Sequence, residues 1–151
     1  MTLALNVRGS ALVIGLAMLS LGSVPSHAQA RGPAVAAIAA VVRHVAIPLR
    51  GVPSQRVYLA YNGKTPPDDL LKLVAPLGYL EAMPPDWRPE TSGEPIPLLD
   101  MWGARRNKSG SVVVTATTSA NGVAVDSCTY TVWLKSGSWQ IDEHATQCLV
   151  L

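Results

Sequence analysis

The stretch that decides the fold is Thr129-Tyr130-Thr131-Val132-Trp133-Leu134, followed by Lys135-Ser136-Gly137-Ser138 and then Trp139-Gln140-Ile141. β-Branched and aromatic residues dominate both runs, side-chain character alternates with period two, and a short Ser-Gly turn separates them. That pattern predicts a β-hairpin. The chain's two cysteines, Cys128 and Cys148, bracket it. If Leu134 faces Trp139, then Val132 faces Ile141 and Tyr130 shares their side, while Thr129, Thr131 and Trp133 occupy the other. In that register opposed residue numbers add to 273, whereas those of the two cysteines add to 276. Side chains alternate between faces, so the odd difference places the cysteines on opposite sides. A disulfide between them therefore demands a bulge or short excursion. Asp142-Glu143-His144-Ala145, where the alternation fails, is the expected place for it.

Upstream of the hairpin, strand and turn continue to alternate. Residues 98–104 form a strand, Arg105-Arg106-Asn107-Lys108-Ser109-Gly110 a turn, residues 111–117 a second strand, and Ser119-Ala120-Asn121-Gly122 another turn. Asn-Gly is a strong hairpin signal. Residues 123–134 and the run from Trp139 complete a four-stranded meander, because strands joined this tightly are antiparallel neighbours. A further short strand, Arg56-Val57-Tyr58-Leu59-Ala60-Tyr61, is a candidate fifth member, closed by the Asn62-Gly63 turn.

Two helices precede the meander. Pro33 to Ala46 is alanine-rich, with proline in the first turn and Val35, Ile38, Val41, Val42 and Val45 on one face. Arg43 lies in its last turn, where a cation suits the macrodipole, and Pro48 stops it. His44 falls one position off the apolar face, as a partly exposed helix-end residue. Thr65-Pro66-Pro67-Asp68-Asp69 reads as an N-cap, a first-turn proline and two acids at the positive helix end. Leu70, Leu71, Val74 and Leu77 supply a buried side, and Pro76 with Gly78 ends the helix. The predicted class is α+β, an N-terminal helix and a short second helix packed on a four- to five-stranded antiparallel meander.

The first thirty residues read as a targeting signal. One cation (Arg8), an apolar run over residues 11–21 and a small-residue end at Ala28-Gln29-Ala30 follow the order of a secretory signal peptide. The run is shorter than the ~18–20 residues of a membrane span. Residues 31–151 then form a single exported domain, periplasmic or secreted. Of 12 Lys+Arg and 10 Asp+Glu, only Arg8 falls in the signal, which leaves a net charge near +1. That balance offers no electrostatic footprint for nucleic acid or for an anionic membrane. Export to an oxidising compartment favours a Cys128–Cys148 disulfide.

The chemistry-bearing candidates are few. Residues 83–97 form a loop stiffened by five prolines, with Trp87 between Asp86 and Arg88. An exposed tryptophan there would anchor a partner; the alternative is a plug folded over the sheet edge. Arg105, Arg106 and Lys108 form a candidate anion site or a charged edge that discourages strand association. Asp142, Glu143 and His144 are the acid/base cluster, with Asp100 or His44 as possible companions. No zinc-ligand spacing, nucleophile elbow, P-loop or dinucleotide fingerprint occurs, and no metal or cofactor is implied.

The ending Tyr130-Thr131-Val132-Trp133…Gly137-Ser138-Trp139-Gln140-Ile141 is similar to the closing hairpin of many small exported bacterial proteins. Val57-Tyr58-Leu59…Asn62-Gly63-Lys64…Pro67…Leu70-Leu71 resembles a strand-turn-helix segment of uncharacterised members of that group. A helix before a curved meander also resembles the cystatin-like superfamily, which includes the nuclear-transport-factor-2-like fold. That resemblance implies a fold and no function; the enzymes of the superfamily use an acid/base pair in a cone-shaped pocket, and no residue of that pair carries over. The reading adopted is a non-enzymatic envelope protein that binds an unknown protein or small molecule, with Trp87 and its loop as contact candidates. The alternatives are a small enzyme or ligand pocket using Asp142, Glu143 or His144, and a secreted inhibitor or immunity-type protein.

Overall fold

A computed structural model describes residues 32–46, 56–89, 96–120 and 122–151 of the chain. Residues 1–31, where a signal peptide is expected, residues 47–55 with the Pro48 helix stop, and the middle of the proline-rich loop lie outside them. Helix α1 runs Pro33–Ala46, strand β1 Val57–Tyr61, helix α2 Asp68–Val74 with a single 3-10 turn at Ala75–Leu77, and β2 Leu80–Ala82. Strands β3 (Pro97–Arg106), β4 (Val112–Ala120), β5 (Val123–Lys135) and β6 (Ser138–Val150) complete the chain. The class is α+β. The sheet has six strands in the order β2-β1-β3-β4-β5-β6, where four or five were expected. It is also mixed: β1 pairs parallel with both β2 and β3, and only β3 to β6 form the antiparallel meander.

Helix α1 forms where the alanine-rich stretch predicts it and buries its apolar face on β3, β4, β5 and β6. Val35, Ile38, Val41 and Val42 lie in one cluster with Leu59, Leu99, Met101, Val112, Val114 and Val132 from the sheet. Each fully buried side chain of this size contributes about 1.5–3 kcal/mol. Arg43 serves a neighbour as well as its own helix end, since its Nη2 donates to the Leu73 carbonyl at the end of α2 at 3.0 Å. Tyr79 Oη donates to the Ala46 carbonyl at 2.6 Å and pins the C-terminal end of α1. Thr65 does not cap α2. Pro67 occupies the N-cap position without a side-chain cap, and Thr65 Oγ1 donates instead to the Met83 carbonyl at 2.8 Å.

The closing hairpin has the expected register. Leu134 faces Trp139, Val132 faces Ile141 and Thr131 faces Asp142; below the irregularity Thr129 faces Gln147 and Cys128 faces Cys148. Four residues, 143–146, stand opposite Tyr130 alone. Thr146 Oγ1 donates to the Asp142 carbonyl at 3.0 Å and closes this bulge on itself. The three extra residues correct the odd offset, so the cysteines share a face and are bonded, with their Cα atoms 4.1 Å apart. No helix among the described residues is long and apolar enough to cross a membrane.

The cysteines are 20 residues apart, and a closed loop of that size stabilises a fold by about 3 kcal/mol in the chain-entropy model. Cys128→Ser/Cys148→Ser is therefore expected to lose about 2–4 kcal/mol in urea unfolding, with the far-ultraviolet spectrum retained. A loss below about 0.5 kcal/mol would mean that the bulge and the α1 contacts alone hold β6 in register.

Candidate functional site

Both helices pack on the same side of the sheet, and the residues that face the other side are fixed by the register. Leu98, Asp100 and Trp102 on β3 stand beside Ser119, Thr117 and Thr115 on β4. Thr117 and Thr115 in turn face Ser127 and Thr129 on β5, which face Leu149 and Gln147 on β6. The hydroxyls join across the strands: Thr115 to Thr129 at 3.2 Å and Thr117 to Ser127 at 3.1 Å. One more row, Arg105, Val113, Thr131 and Asp142, crosses the same face beyond the β3 irregularity. Among the described residues the β1 end of this face is partly covered, and the β4–β6 part carries no helix.

The cover at the β1 end is the first half of the proline-rich loop. Trp87 is half-buried and packs with Tyr58 against Ala60, Met83 and Leu98. The loop continues to Pro89, whose ring lies against the β4–β5 turn. A Cβ on Gly122 would come within 2.5 and 2.9 Å of Pro89 side-chain carbons, and φ there is +76°. A glycine is required on both counts.

Asp100 is the buried acid of this face, 7% exposed. The Asn62-Gly63 turn folds over it. Gly63 N–H donates to the carboxylate, 3.2 Å from Oδ1 and 3.1 Å from Oδ2. Asn62 anchors the turn to β3 by donating its N–H to the Met101 carbonyl at 2.9 Å and accepting the Gly103 N–H on Oδ1 at 3.2 Å. Asn62 and Gly63 both take positive φ, 52° and 68°, which asparagine and glycine tolerate and most residues do not. The Trp102 indole tip rests against Gly63 while the side chain as a whole stays 43% exposed. Burial pushes the Asp100 carboxyl up to about 6, against the opposing hydrogen bonds from the backbone of Gly63 and Met101.

The candidates read from sequence are not gathered into one site. Arg105 and Arg106 belong to β3 and not to the turn; Arg105 stands opposite Val113 and Arg106 opposite the buried Val112, so they fall on opposite faces. Lys108 alone lies in the turn after it. Asp142 is half-buried on the helix-free face, and Glu143 and His144 are exposed in the bulge. Asp100 is three strands from β6, about 14 Å at ~4.8 Å per strand, and its row ends at Leu149. His44 is on the helix side, its ring edge-on to Tyr130 with centroids 5.8 Å apart. Among the described residues no three His, Cys, Asp or Glu side chains converge as a metal site.

Asp100 gives this face a pH signature. A carboxyl held above the ordinary aspartate value of ~3.9 takes up a proton in the folded state first, so the contribution of Asp100 to stability falls as pH rises from about 4 to about 6. Asp100→Asn keeps an acceptor for Gly63 N–H and removes the charge. It is expected to stabilise the protein by about 1–3 kcal/mol at pH ~7.5 and to have little effect at pH ~4, read by urea unfolding at both values. A destabilisation at the higher pH would show that the charged carboxylate holds the turn better than a neutral amide. Neither protein-family models nor curated proteins nor solved structures give a match to this chain.

Proposed function

We propose that the chain is a small exported, non-enzymatic binding domain that meets its partner, a protein or a small molecule, with the helix-free face of its sheet. The observation that carries this reading is the division of the sheet. One face is filled by α1 and α2, and the other presents a half-exposed tryptophan, Trp102, beside rows of Thr and Ser hydroxyls. Antiparallel strands fix the spacing of those groups, so little ordering cost remains to be met on binding. An aromatic anchor among adaptable hydrogen-bonding groups is the composition favoured at recognition surfaces. The disulfide and the signal-like N-terminus are compatible with export. An inhibitor or immunity-type protein is the form of this reading in which the partner is a protein.

The rival reading, an acid/base pocket between helix and sheet, finds less support. The space between α1 and the sheet is filled by fully buried aliphatic side chains, and Glu143 and His144 lie outside it in an exposed bulge. Trp102 also displaces Trp87 as the contact candidate, because Trp87 is committed to the cluster on Tyr58, Ala60 and Leu98.

Substituting the two tryptophans separates these roles. Trp87→Ala removes a packed, half-buried ring and is expected to cost about 1–3 kcal/mol of stability. Trp102→Ala is expected to change stability by less than about 1 kcal/mol and to reduce recovery of the partner from envelope extract at least about tenfold, a loss of about 1.4 kcal/mol or more in binding. Undiminished recovery with Trp102→Ala would remove the helix-free face from consideration.

A further inference from the structure

The two edges of the sheet are built differently. At one end β2 is three residues long, and its Glu81 meets Arg56 across the strand at 3.5 Å. A short charged edge resists further strand pairing. At the other end β6 is 13 residues long, and among the described residues nothing pairs with its outer side. The bulge at residues 143–146, with Glu143 and His144, interrupts the middle of that edge. Residues 147–151, Gln-Cys-Leu-Val-Leu, have neither a charged side chain nor a bulge, and Leu149, Val150 and Leu151 are 68%, 90% and 68% exposed. Val123 and Val125 on β5 extend the same apolar end.

The backbone here has a definite direction. The 4.1 Å Cα separation of Cys128 and Cys148 is that of a close, non-hydrogen-bonded antiparallel pair, in which the N–H and C=O of each residue point away from the partner strand. Leu151, three residues on, donates its N–H inward to the Val125 carbonyl at 3.1 Å, as the alternation requires. Cys148 and Val150 therefore present two donors and two acceptors to the open edge.

We propose that this edge pairs with the same edge of a second copy of the chain, antiparallel, about a two-fold axis through Leu149. In that register Cys148 faces Val150 of the second copy and Val150 faces its Cys148, each pair exchanging two backbone hydrogen bonds. Leu149 faces Leu149 of the second copy on the axis. The surface is self-complementary, as a two-fold contact requires, and no like charges oppose one another, because the acids of the bulge stay outside the ladder. The sheet continues through both copies with the helices of both on one side, which leaves both helix-free faces open. The exposed apolar residues at this end, Val123, Val125, Leu149, Val150 and Leu151, are far fewer than the ~20–30 residues a side of a stable standard complex. The dimer is accordingly weak and concentration-dependent.

Sedimentation velocity on the oxidised protein, from micromolar to near-millimolar concentration, tests this. Expected is a reversible shift from monomer to dimer, with slowed amide exchange at Cys148 and Val150 as concentration rises. Leu149→Lys and Leu149→Glu, both at an exposed position, are each expected to weaken association at least about tenfold, and an equimolar mixture of the two to restore it through a Lys–Glu pair across the axis. A monomer at every concentration overturns the proposal, including the case in which Cys148 and Val150 are protected at all concentrations because another segment of the same chain covers the edge. A dimer unaffected by either Leu149 substitution overturns it as well.

Discussion

Side chains on a strand alternate between faces, and along β5 that alternation separates Tyr130 and Val132, which meet the helices, from Thr129, Thr131 and Trp133, which do not. Everything on β6 has to agree with it. Ile141 and Trp139 must stand opposite Val132 and Leu134 to join the core, and Cys148 must stand opposite Cys128 to form the disulfide. These two demands are out of phase by an odd number of residues. A regular strand meets one or the other. The bulge at residues 143–146 meets both by adding three residues opposite Tyr130, and Thr146 closes it with a bond to the Asp142 carbonyl. Of the acid/base cluster of the sequence, Glu143 and His144 lie in this bulge, while Asp142 stays in the ladder opposite Thr131.

The same division of faces accounts for Asp100. On β3 the neighbours Leu99 and Met101 point to the helices and are fully buried, so Asp100 points to the other side, between Ala60 and Thr117. An acid there would remain hydrated if the face were open. It is instead capped by the Asn62-Gly63 turn, which can fold back this tightly because its two residues accept positive φ. Desolvation then outweighs the Gly63 hydrogen bond, and the carboxyl is held neutral into mildly acidic conditions. The turn that ends β1 therefore also sets the protonation of a group on β3.

Local patterns are the legible part of this chain. The helix at Pro33–Ala46 is readable to its last residue because proline, alanine content and a 3–4 spacing agree. The hairpin register follows from the short Ser-Gly turn with Leu134 facing Trp139, and the need for an irregularity from parity. The features that escape a sequence reading have no local period. β2 is three residues, Leu80–Ala82, too short to alternate, and its parallel pairing with β1 is a contact across helix α2 that no short window contains. Thr65 has the sequence context of a cap, with Pro66-Pro67-Asp68-Asp69 after it, while its hydroxyl is taken by Met83, eighteen residues away. The charge of Arg105 and Arg106 suggests a turn, yet an irregularity at Gly103, with φ +58°, carries β3 on through them. Asp100 has one readable signal, an acid at the centre of Leu98-Leu99-Asp100-Met101-Trp102. A single acid in an apolar strand must either interrupt the strand or be compensated from outside it.

The two open surfaces of the sheet are consequences of where the chain spends its helices. Among the described residues two helices, of 14 and 7 residues, cover one face of a six-stranded sheet, so the second face of β4 to β6 needs residues that suit both an extended backbone and contact with water. Thr and Ser satisfy both requirements there: threonine favours the extended backbone, and the hydroxyls of both pair across strands at 3.1–3.2 Å. The β6 edge obeys a different rule. Its middle is guarded by the bulge that the disulfide register makes necessary, and the guard ends where that register resumes, at Gln147. Beyond it the strand must run regular to keep Cys148 opposite Cys128. The bond that fixes β6 to β5 is therefore also what holds Leu149 and Val150 straight and open at the side of the sheet.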